Sequence, residues 1–327
     1  MRRTGIPIIA LIALAAGPTA AAPAQVPTTT TPGPSAGRLT LSDTGGVRVA
    51  GRNVALAGQR LRVRGTVTPY VAGQAVEVRF IRGATRLATR HVLVTPARGG
   101  NGAFTVFYKA PNAGALHIEA VHAATPGQVA MSAFSSLTLI TAGAGPGAGG
   151  LRVRYLQTRL ASLGYLTPLG GRYDDATARA VIAYHKVTRM PRTSGANGRT
   201  FFKLADGQGR FRARFSWHGR HVEVSLSRQV LVLFYPGGQV YKILTISSGK
   251  PSTPTVRGSF SVFSKTPGYN SLGMLDANYF AAGGFAIHGY HEVPTYAASH
   301  GCVRTPIANA GFLFNWIQYG TRVDVYG

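Results

Sequence analysis

The residue types most able to do chemistry lie close together near the end of the chain. Residues 287–304 hold Cys302, the only cysteine among 327 residues, and three of the nine histidines, His288, His291 and His300. A thiol is a strong nucleophile once a nearby imidazole takes its proton, so a single cysteine among histidines is a candidate for covalent catalysis. This stretch therefore predicts a cysteine-dependent active site.

The residues after the cysteine suggest how its thiol is activated. Thr305 is a good helix N-cap and Pro306 suits the first helical position, so we expect a helix to begin three residues after Cys302. The positive end of a helix, with the charge of Arg304 beside it, favours the thiolate.

Three histidines compete for the role of general base. Residues 285–287 (FAI) form an apolar run that predicts a buried strand ending at His288 and Gly289, which would hold the imidazole firmly against a cleft. His300 lies two positions before Cys302, where an extended backbone would put both side chains on one face. A backbone carbonyl can orient the base as a carboxylate would. The amides around Gly301 and Cys302 can converge on a developing oxyanion.

Two other interpretations of the same residues stay open. The thiol could be a buried, inert side chain. Alternatively, nitrogen and sulfur donors at short spacing suit zinc, which would make His288, His291, His300 and Cys302 a metal site. No acidic base accompanies that set, so we predict that the protein uses no metal and no cofactor.

The charge of the chain indicates an acidic partner. Lys and Arg total 35 against 10 Asp and Glu, a formal net charge of +25, which favours attraction to nucleic acid, an anionic membrane or a cell wall. The basic residues are spread from Arg2 to Arg322 without a compact run, and no nucleic-acid motif is present, so we expect no nucleic-acid partner. The composition leaves the oligomeric state open.

The amino terminus predicts export. Arg2 and Arg3 precede an apolar run at 6–17, and an A-x-A-like cleavage site at 22–24 follows, so residues 1–24 are expected to be a signal peptide. The apolar run is shorter than the roughly 20 residues that span a bilayer, so no stable membrane span should remain after processing. The expected location is the cell wall or the periplasmic side of the membrane.

The rest of the chain divides by composition into five segments. Residues 25–37 are rich in Thr, Pro, Ser and Gly and predict a linker. Alternating apolar runs between turn residues predict a β-sandwich of immunoglobulin-like type, a spacer without chemistry. A Gly-rich linker then precedes a small three-helix domain and a mainly β catalytic domain with one prominent helix. The predicted bounds of these last four segments are 38–141, 142–150, 151–207 and 208–327.

The helical segment resembles the three-helix peptidoglycan-binding domain. That family carries an LQ-x-x-L-x-x-LGY helix and then a D-x-x-T-x-x-AV helix. This chain departs from the family at Tyr184 and His185, where phenylalanine and glutamine are usual. The resemblance implies binding of peptidoglycan, with other anionic wall polymers as further partners. The matching residues are Leu156, Gln157, Leu160, Leu163, Gly164, Tyr165, Asp174, Thr177, Ala180, Val181 and Thr200.

The last segment resembles the L,D-transpeptidase catalytic domain, which is YkuD-like. Its signature is a histidine-glycine, a loop, and Ser/Thr-His-Gly-Cys followed by an aliphatic residue and Arg or Asn. Here the signature reads His288-Gly289 and then SHGCVR at 299–304. The resemblance implies peptidoglycan stem tetrapeptides as substrates, release of D-alanine and formation of 3→3 cross-links. Replacing the acceptor amine by water would give a carboxypeptidase, and a domain that had lost its activity would leave a non-catalytic wall-binding protein.

The resemblance also implies a role for each residue of the signature. Cys302 is the nucleophile, His288 the general base, and the Gly289 carbonyl the group that orients it. The amides of His300, Gly301 and Cys302 form the oxyanion hole. The substrate-binding residues that the resemblance implies are Arg304 and Ser299. We add Tyr290 and His291, which follow His288 in the chain.

Overall fold

The computed structural model describes residues 33–327. The predicted signal peptide, residues 1–24, and most of the predicted linker at 25–37 lie outside the described residues. The described part is mostly β, with few helices. None of the helices within residues 33–327 has the length and apolarity that a membrane crossing requires.

Strands β1–β10 form two sheets that pack face to face. One sheet has the order β1-β4-β8-β7 and the other the order β2-β3-β10-β9-β5-β6. Apolar side chains from both sheets alternate inward and share one core, as half-buried strands require. The arrangement is a β-sandwich, and its immunoglobulin-like class stays a prediction. The strands are Arg38–Asp43, Val47–Val49, Arg52–Leu56, Arg60–Thr68, Ala75–Arg82, Thr85–Leu93, Thr95–Pro96, Gly102–Lys109, Gly114–His122 and Met131–Ile140.

Three helices follow, α1 (Leu151–Ser162), α2 (Asp175–Val187) and α3 (Gly198–Ala205). The Asp174 carboxylate caps α2 by accepting from the Thr177 amide at 2.8 Å. The Asn197 side chain caps α3 in the same way.

The helices do not have a core of their own. One apolar cluster joins Leu56 of β3, Leu156 of α1, Phe201 of α3 and Ile243 of the strand β13 defined below. So small a helical unit buries little surface alone, and it gains burial here by packing on the sheets before and after it.

The two residues that depart from the peptidoglycan-binding pattern are both buried in this region. The His185 ring lies 2.9 Å from Thr193 O through Nδ1 and 2.9 Å from Thr200 Oγ1 through Nε2. These contacts hold α2 against the start of α3, so the structure accommodates His185, whereas the buried Tyr184 hydroxyl has no hydrogen-bond partner among the described residues.

The remainder of the chain forms two more sheets around α4 (Ala310–Trp316). One has the order β13-β12-β11-β19-β14 and the other the order β15-β16-β17-β18. Strands β11 and β19 run parallel, as do β17 and β18. The strands β11–β19 are His221–Ser225, Val230–Tyr235, Gln239–Thr245, Gly258–Ser261, Ser264–Tyr269, Leu275–Ala281, Phe285–Tyr290, Val303–Pro306 and Arg322–Tyr326.

The helix expected at Thr305 and Pro306 is not there, and that prediction is wrong. Both residues belong to β18, whose Thr305 lies opposite Gly289 of β17. The Thr305 hydroxyl donates to His288 O at 3.1 Å, so it serves the sheet and not a helix cap. A short 3₁₀ turn intervenes, and α4 begins only at Ala310.

Candidate active site

His288 lies in β17, between β16 and β18, and only 3 % of its surface is exposed. Its Nδ1 lies 2.9 Å from the Gly289 carbonyl oxygen. Because a carbonyl only accepts, Nδ1 carries the proton and Nε2 is left as the basic nitrogen. Burial lowers the pKa of His288, and the charge of Arg304 lowers it further against the opposing effect of the Gly289 carbonyl. The imidazole is therefore neutral at pH 7.

The turn before Cys302 is fixed by buried hydroxyl groups. Ser299 Oγ donates to Cys302 O at 2.6 Å, and Thr255 Oγ1 donates to Gly301 O at 2.7 Å. Gly301 has a φ of +124°, and a side chain there would put its Cβ 2.9 Å from the Phe285 ring. Glycine is therefore required at this position.

The Cys302 thiol is free and faces a carbonyl. Its Sγ donates to Gly284 O at 3.4 Å. Burial raises the pKa of the thiol above its ordinary value, while the Ala286 backbone and the charge of Arg304 act in the opposite direction. The expectation of a thiolate favoured by a helix start is wrong, because α4 begins eight residues beyond the cysteine, at Ala310. The resting pair is a neutral thiol and a neutral imidazole.

Most of the predicted site residues line one cleft. The cleft has a volume of about 390 Å³. Its lining includes residues that the sequence analysis missed, of which the most informative is Gly284, the acceptor of the thiol hydrogen bond. The adjacent glycines at 283 and 284 are a hairpin-turn signal between β16 and β17 that could have revealed it. The lining residues are Leu272, Met274, Gly283, Gly284, His288, Tyr290, Ser299, His300, Cys302 and Arg304.

Arg304 and Tyr290 form a cationic and aromatic wall of the cleft. The guanidinium carbon lies 4.1 Å from the centre of the Tyr290 ring, within cation–π distance. Its Nη1 lies 4.0 Å from the Glu292 carboxylate, which is exposed. The wall therefore offers a partly neutralised positive charge to a bound anion.

His291 and His300 have different surroundings from His288. The His291 ring packs against the Tyr290 ring at a tilt of 36°, with ring centres 4.3 Å apart, but His291 lines a different cavity. His300 is exposed, and its Nε2 lies 3.2 Å from Lys250 Nζ. Of the three histidines, His288 alone is buried in the cleft with a backbone carbonyl at its Nδ1, which favours the prediction that it is the base.

One expected oxyanion donor is already engaged. The Gly301 amide donates to Ser299 Oγ at 3.1 Å, so its hydrogen does not point into the cleft. The expectation that this amide lines an oxyanion hole conflicts with that contact. The cause is the turn itself, in which the Ser299 hydroxyl bridges two backbone groups of the next three residues.

The donors of the zinc interpretation do not converge. Across residues 33–327 no three or more His, Cys, Asp or Glu side chains lie close enough together to hold a metal ion. The buried carboxylates of the catalytic region, Glu223 and Asp324, bind His221 and His218 instead. The group that orients His288 is the Gly289 carbonyl.

Comparison with known families assigns two parts of the chain. Residues 219–325 match the family model of YkuD, the L,D-transpeptidase catalytic domain. Residues 149–204 match the model of a peptidoglycan-binding domain. A search of curated proteins finds no match to this chain.

Several solved structures are similar to this chain. An L,D-transpeptidase from Xylanimonas cellulosilytica is 34% identical with a TM-score of 0.53, and the match covers 57% of this chain and 98% of the other. An Enterococcus faecium L,D-transpeptidase is 30% identical over 33% of this chain and 50% of the other, with a TM-score of 0.30. One from Stackebrandtia nassauensis is 21% identical over 56% and 95%, with a TM-score of 0.36. On the identity and near-complete coverage of the first of these structures, and on the two matched domains, the chain belongs to the L,D-transpeptidase family and carries a peptidoglycan-binding domain.

Proposed function

We propose that the protein is an exported, cysteine-dependent L,D-transpeptidase that cross-links peptidoglycan stem peptides. The observation that carries the proposal is one cleft that holds both the Cys302 thiol and the His288 imidazole, with the imidazole proton held on Nδ1 by the Gly289 carbonyl. A basic Nε2 beside a thiol is the arrangement that acyl transfer requires. Membership of the family supports peptidoglycan as the substrate.

The first half of the reaction makes a thioester. His288 Nε2 takes the thiol proton as Sγ leaves its hydrogen bond to Gly284 O and attacks the carbonyl carbon of the third residue of a tetrapeptide stem. The oxyanion is stabilised by the amides of His300 and Cys302. When the C–N bond breaks, the D-alanine amine takes the proton from His288 and leaves. The acyl group is then bound to Sγ, and His288 is again neutral.

The second half transfers the acyl group. The side-chain amine of another stem attacks the thioester carbon, His288 accepts the proton released from that amine, and the C–S bond breaks. The proton passes from His288 to Sγ, which restores the thiol and gives a 3→3 cross-link. If water attacks in place of the amine, the same steps make the protein an L,D-carboxypeptidase.

The rest of the chain has supporting roles in this proposal. Residues 1–24 direct export, 25–37 and 142–150 are linkers, and the sandwich at 38–141 is a spacer. The helical domain at 151–207 binds the wall, and 208–327 is catalytic. The net charge of +25 supports attachment to an acidic wall at the cell surface.

A single assay tests the chemistry. The full chain, Cys302→Ala and His288→Ala are incubated with tetrapeptide muropeptides, and D-alanine and dimers are measured with and without a chelator. We expect dimers from the wild type and none from either variant, and intact-mass spectra should show a carbapenem adduct on Cys302. Activity that survives Cys302→Ala would contradict the thiol mechanism, and loss only with the chelator would favour zinc. D-alanine without dimers would favour the carboxypeptidase.

A second measurement separates the enzyme from a non-catalytic wall-binding protein. Full-length Cys302→Ala, which has no nucleophile, is sedimented with purified wall material. We expect it to bind as well as the wild type. Wall binding without any D-alanine release by the wild type would leave only the binding role.

A further inference from the structure

A second cavity adjoins the cleft of Cys302 and has no role in the proposed reaction. It has a volume of about 320 Å³ and lies between α2 and the catalytic sheets. Arg179 and Ile182 come from α2, whereas His291 and Ile307 come from the catalytic region. Tyr290 lines both this cavity and the cleft, so the two are neighbours. We call this cavity the interface groove.

The wall formed by α2 is fixed on the catalytic sheet by a buried lysine. Lys186 lies one helical turn after Ile182, on the same face of α2. Its Nζ donates to Gln229 O at 3.1 Å, Thr245 Oγ1 at 2.7 Å and Ile246 O at 2.8 Å. The two walls are therefore held together before any ligand arrives, which lowers the entropic cost of binding.

The positive charge in the interface groove favours binding of an anion. The half-buried Arg179 guanidinium lines it, and within residues 33–327 this guanidinium makes no hydrogen bond or ion pair, although the Asp174 carboxylate attracts it from a greater distance. No acidic side chain is among the residues that line the groove. A partly buried guanidinium with free donors binds a carboxylate through two charge-assisted hydrogen bonds.

The remaining lining decides which anion fits. Beside the one arginine it combines apolar side chains, among them Ile182, Val293, Pro306 and Ile307, with the polar side chains of Thr245, Thr295 and His291. A polyphosphate chain would need a row of cations, and a neutral glycan would leave Arg179 unpaired. A short peptide with carboxylates and small aliphatic side chains satisfies both the cation and the apolar surface.

We infer that the interface groove binds a second peptidoglycan stem peptide through a carboxylate at Arg179, beside the stem that reacts with Cys302. This inference rests on the proposed function for the identity of the peptide. The groove joins α2 of the wall-binding domain to the catalytic region, so occupancy would hold a neighbouring strand of the polymer next to the thioester.

The test measures binding with the cleft blocked. Cys302 of the full chain is alkylated with N-ethylmaleimide, which blocks the thiol without use of the proposed reaction. Calorimetry then measures binding of a soluble disaccharide tetrapeptide to wild type, Arg179→Gln and Arg179→Lys. The matched control is Arg199→Gln, an exposed arginine on α3.

We expect Arg179→Gln to bind about tenfold or more weakly, because a charge-assisted hydrogen bond is lost. Arg179→Lys, which keeps the charge but not the paired hydrogen bonds of the guanidinium, should bind with an affinity between those of the wild type and Arg179→Gln, and Arg199→Gln should equal the wild type. A tetrapeptide with its carboxylates amidated should bind the wild type as weakly as the acidic peptide binds Arg179→Gln. This last arm needs no substitution in the protein, so it stays decisive if a variant fails to fold.

Three outcomes would overturn the inference. These are equal affinity for Arg179→Gln and Arg199→Gln, equal affinity for the acidic and amidated peptides, and displacement of the peptide by a poly(glycerol phosphate) chain that binds more tightly. A failure of the proposed function would show in a different measurement, because the unalkylated wild type would then release no D-alanine. If the wild type released D-alanine and Arg179→Gln bound the peptide as tightly as the wild type, only the binding role of the interface groove would be refuted.

Discussion

Ser299 Oγ lies 2.6 Å from the Cys302 carbonyl oxygen and donates a hydrogen bond to it, directly behind the thiol. Ser299 Oγ also accepts a hydrogen bond from the Gly301 amide at 3.1 Å, and the Ser299 side chain is fully buried. One hydroxyl group therefore satisfies two backbone groups of the turn that presents the nucleophile.

We predict that Ser299→Ala slows the enzyme without removing its nucleophile. The substitution leaves two buried backbone groups without a partner, which costs about 1–3 kcal/mol, and loosens the turn. D-alanine release should fall roughly tenfold, and the midpoint of thermal unfolding should fall with it. Ser252→Ala, at an exposed position, is the control. Equal rates for the two variants would mean that the turn holds its geometry without this hydroxyl.

The second prediction concerns the ionisation of Cys302. Burial raises the pKa of the thiol above its ordinary value of 9.0, so the free enzyme holds a neutral thiol at pH 7. Alkylation by iodoacetamide, which needs the thiolate, should be slow at pH 7 and should reach half its maximal rate only above pH 9.0. Intact mass spectrometry across a pH series gives the rate. A plateau already reached at pH 6 would indicate a preformed ion pair with His288 instead.

The sequence predicted the strand before His288 correctly but not the structure that follows Cys302. The apolar run before His288 and the turn at Gly301 are local signals, and β17 confirms the strand expected there. The helix signal at Thr305 and Pro306 is also local, but pairing with β17 overrode it. Capping preferences amount to about 1 kcal/mol, which a full set of strand hydrogen bonds exceeds.

Other features carried no local signal. The strand β6 (Thr85–Leu93) was missed because it is an edge strand whose side chains are mostly exposed, so it lacks alternation. The Gly284 carbonyl beside the thiol and the contacts of Lys186 join positions far apart in the chain. Only the folded chain brings such groups together.

A buried carboxylate far from the cleft gives the third prediction. Glu223 is fully buried and accepts from the amides of residues 214 and 215 at 2.8 and 2.9 Å and from the Tyr326 hydroxyl at 2.8 Å. Burial alone would raise the pKa of Glu223, but the hydrogen bond from His221 and these donors outweigh it and hold the pKa below its ordinary value. The ionised form therefore stabilises the fold.

We expect Glu223→Gln to lower the free energy of unfolding at pH 7 by roughly 3 kcal/mol, because the amide has one acceptor oxygen in place of two and no charge to pair with His221. A carboxylate with a lowered folded pKa contributes stability above its unfolded pKa, and this is lost as the pH falls through the folded value. The difference between wild type and variant should therefore shrink in acid, below about pH 4.5. Urea denaturation measures it, with Asp206→Asn at an exposed position as control. A difference that does not change with pH would contradict the assignment.

Lys186 joins the wall-binding helix to the catalytic sheet through neutral partners only. The three acceptors of its Nζ are the Gln229 and Ile246 carbonyls and the Thr245 hydroxyl. Burial lowers the pKa of Lys186 from 10.5 to about 7, and the charge of Arg192 adds to the effect. Between these two values the unfolded chain binds a proton that the folded chain does not, so stability rises with pH.

The fourth prediction is that the titration of Lys186 causes this increase of stability with pH. From pH 7 to pH 9 the wild type should gain about 2 kcal/mol of unfolding free energy relative to Lys186→Met, in which nothing titrates at this position. Urea denaturation of both proteins at pH 7, 8 and 9 measures the gain, because the contributions of all other groups cancel in the difference. The control is Lys109→Met, at an exposed position of β8, whose unfolding free energy should change with pH as that of the wild type does. If the unfolding free energy of Lys186→Met changed with pH as that of the wild type does, Lys186 would be charged throughout this range. In that case its three oxygen acceptors would offset the effect of burial, and the contact between the two regions would not respond to pH.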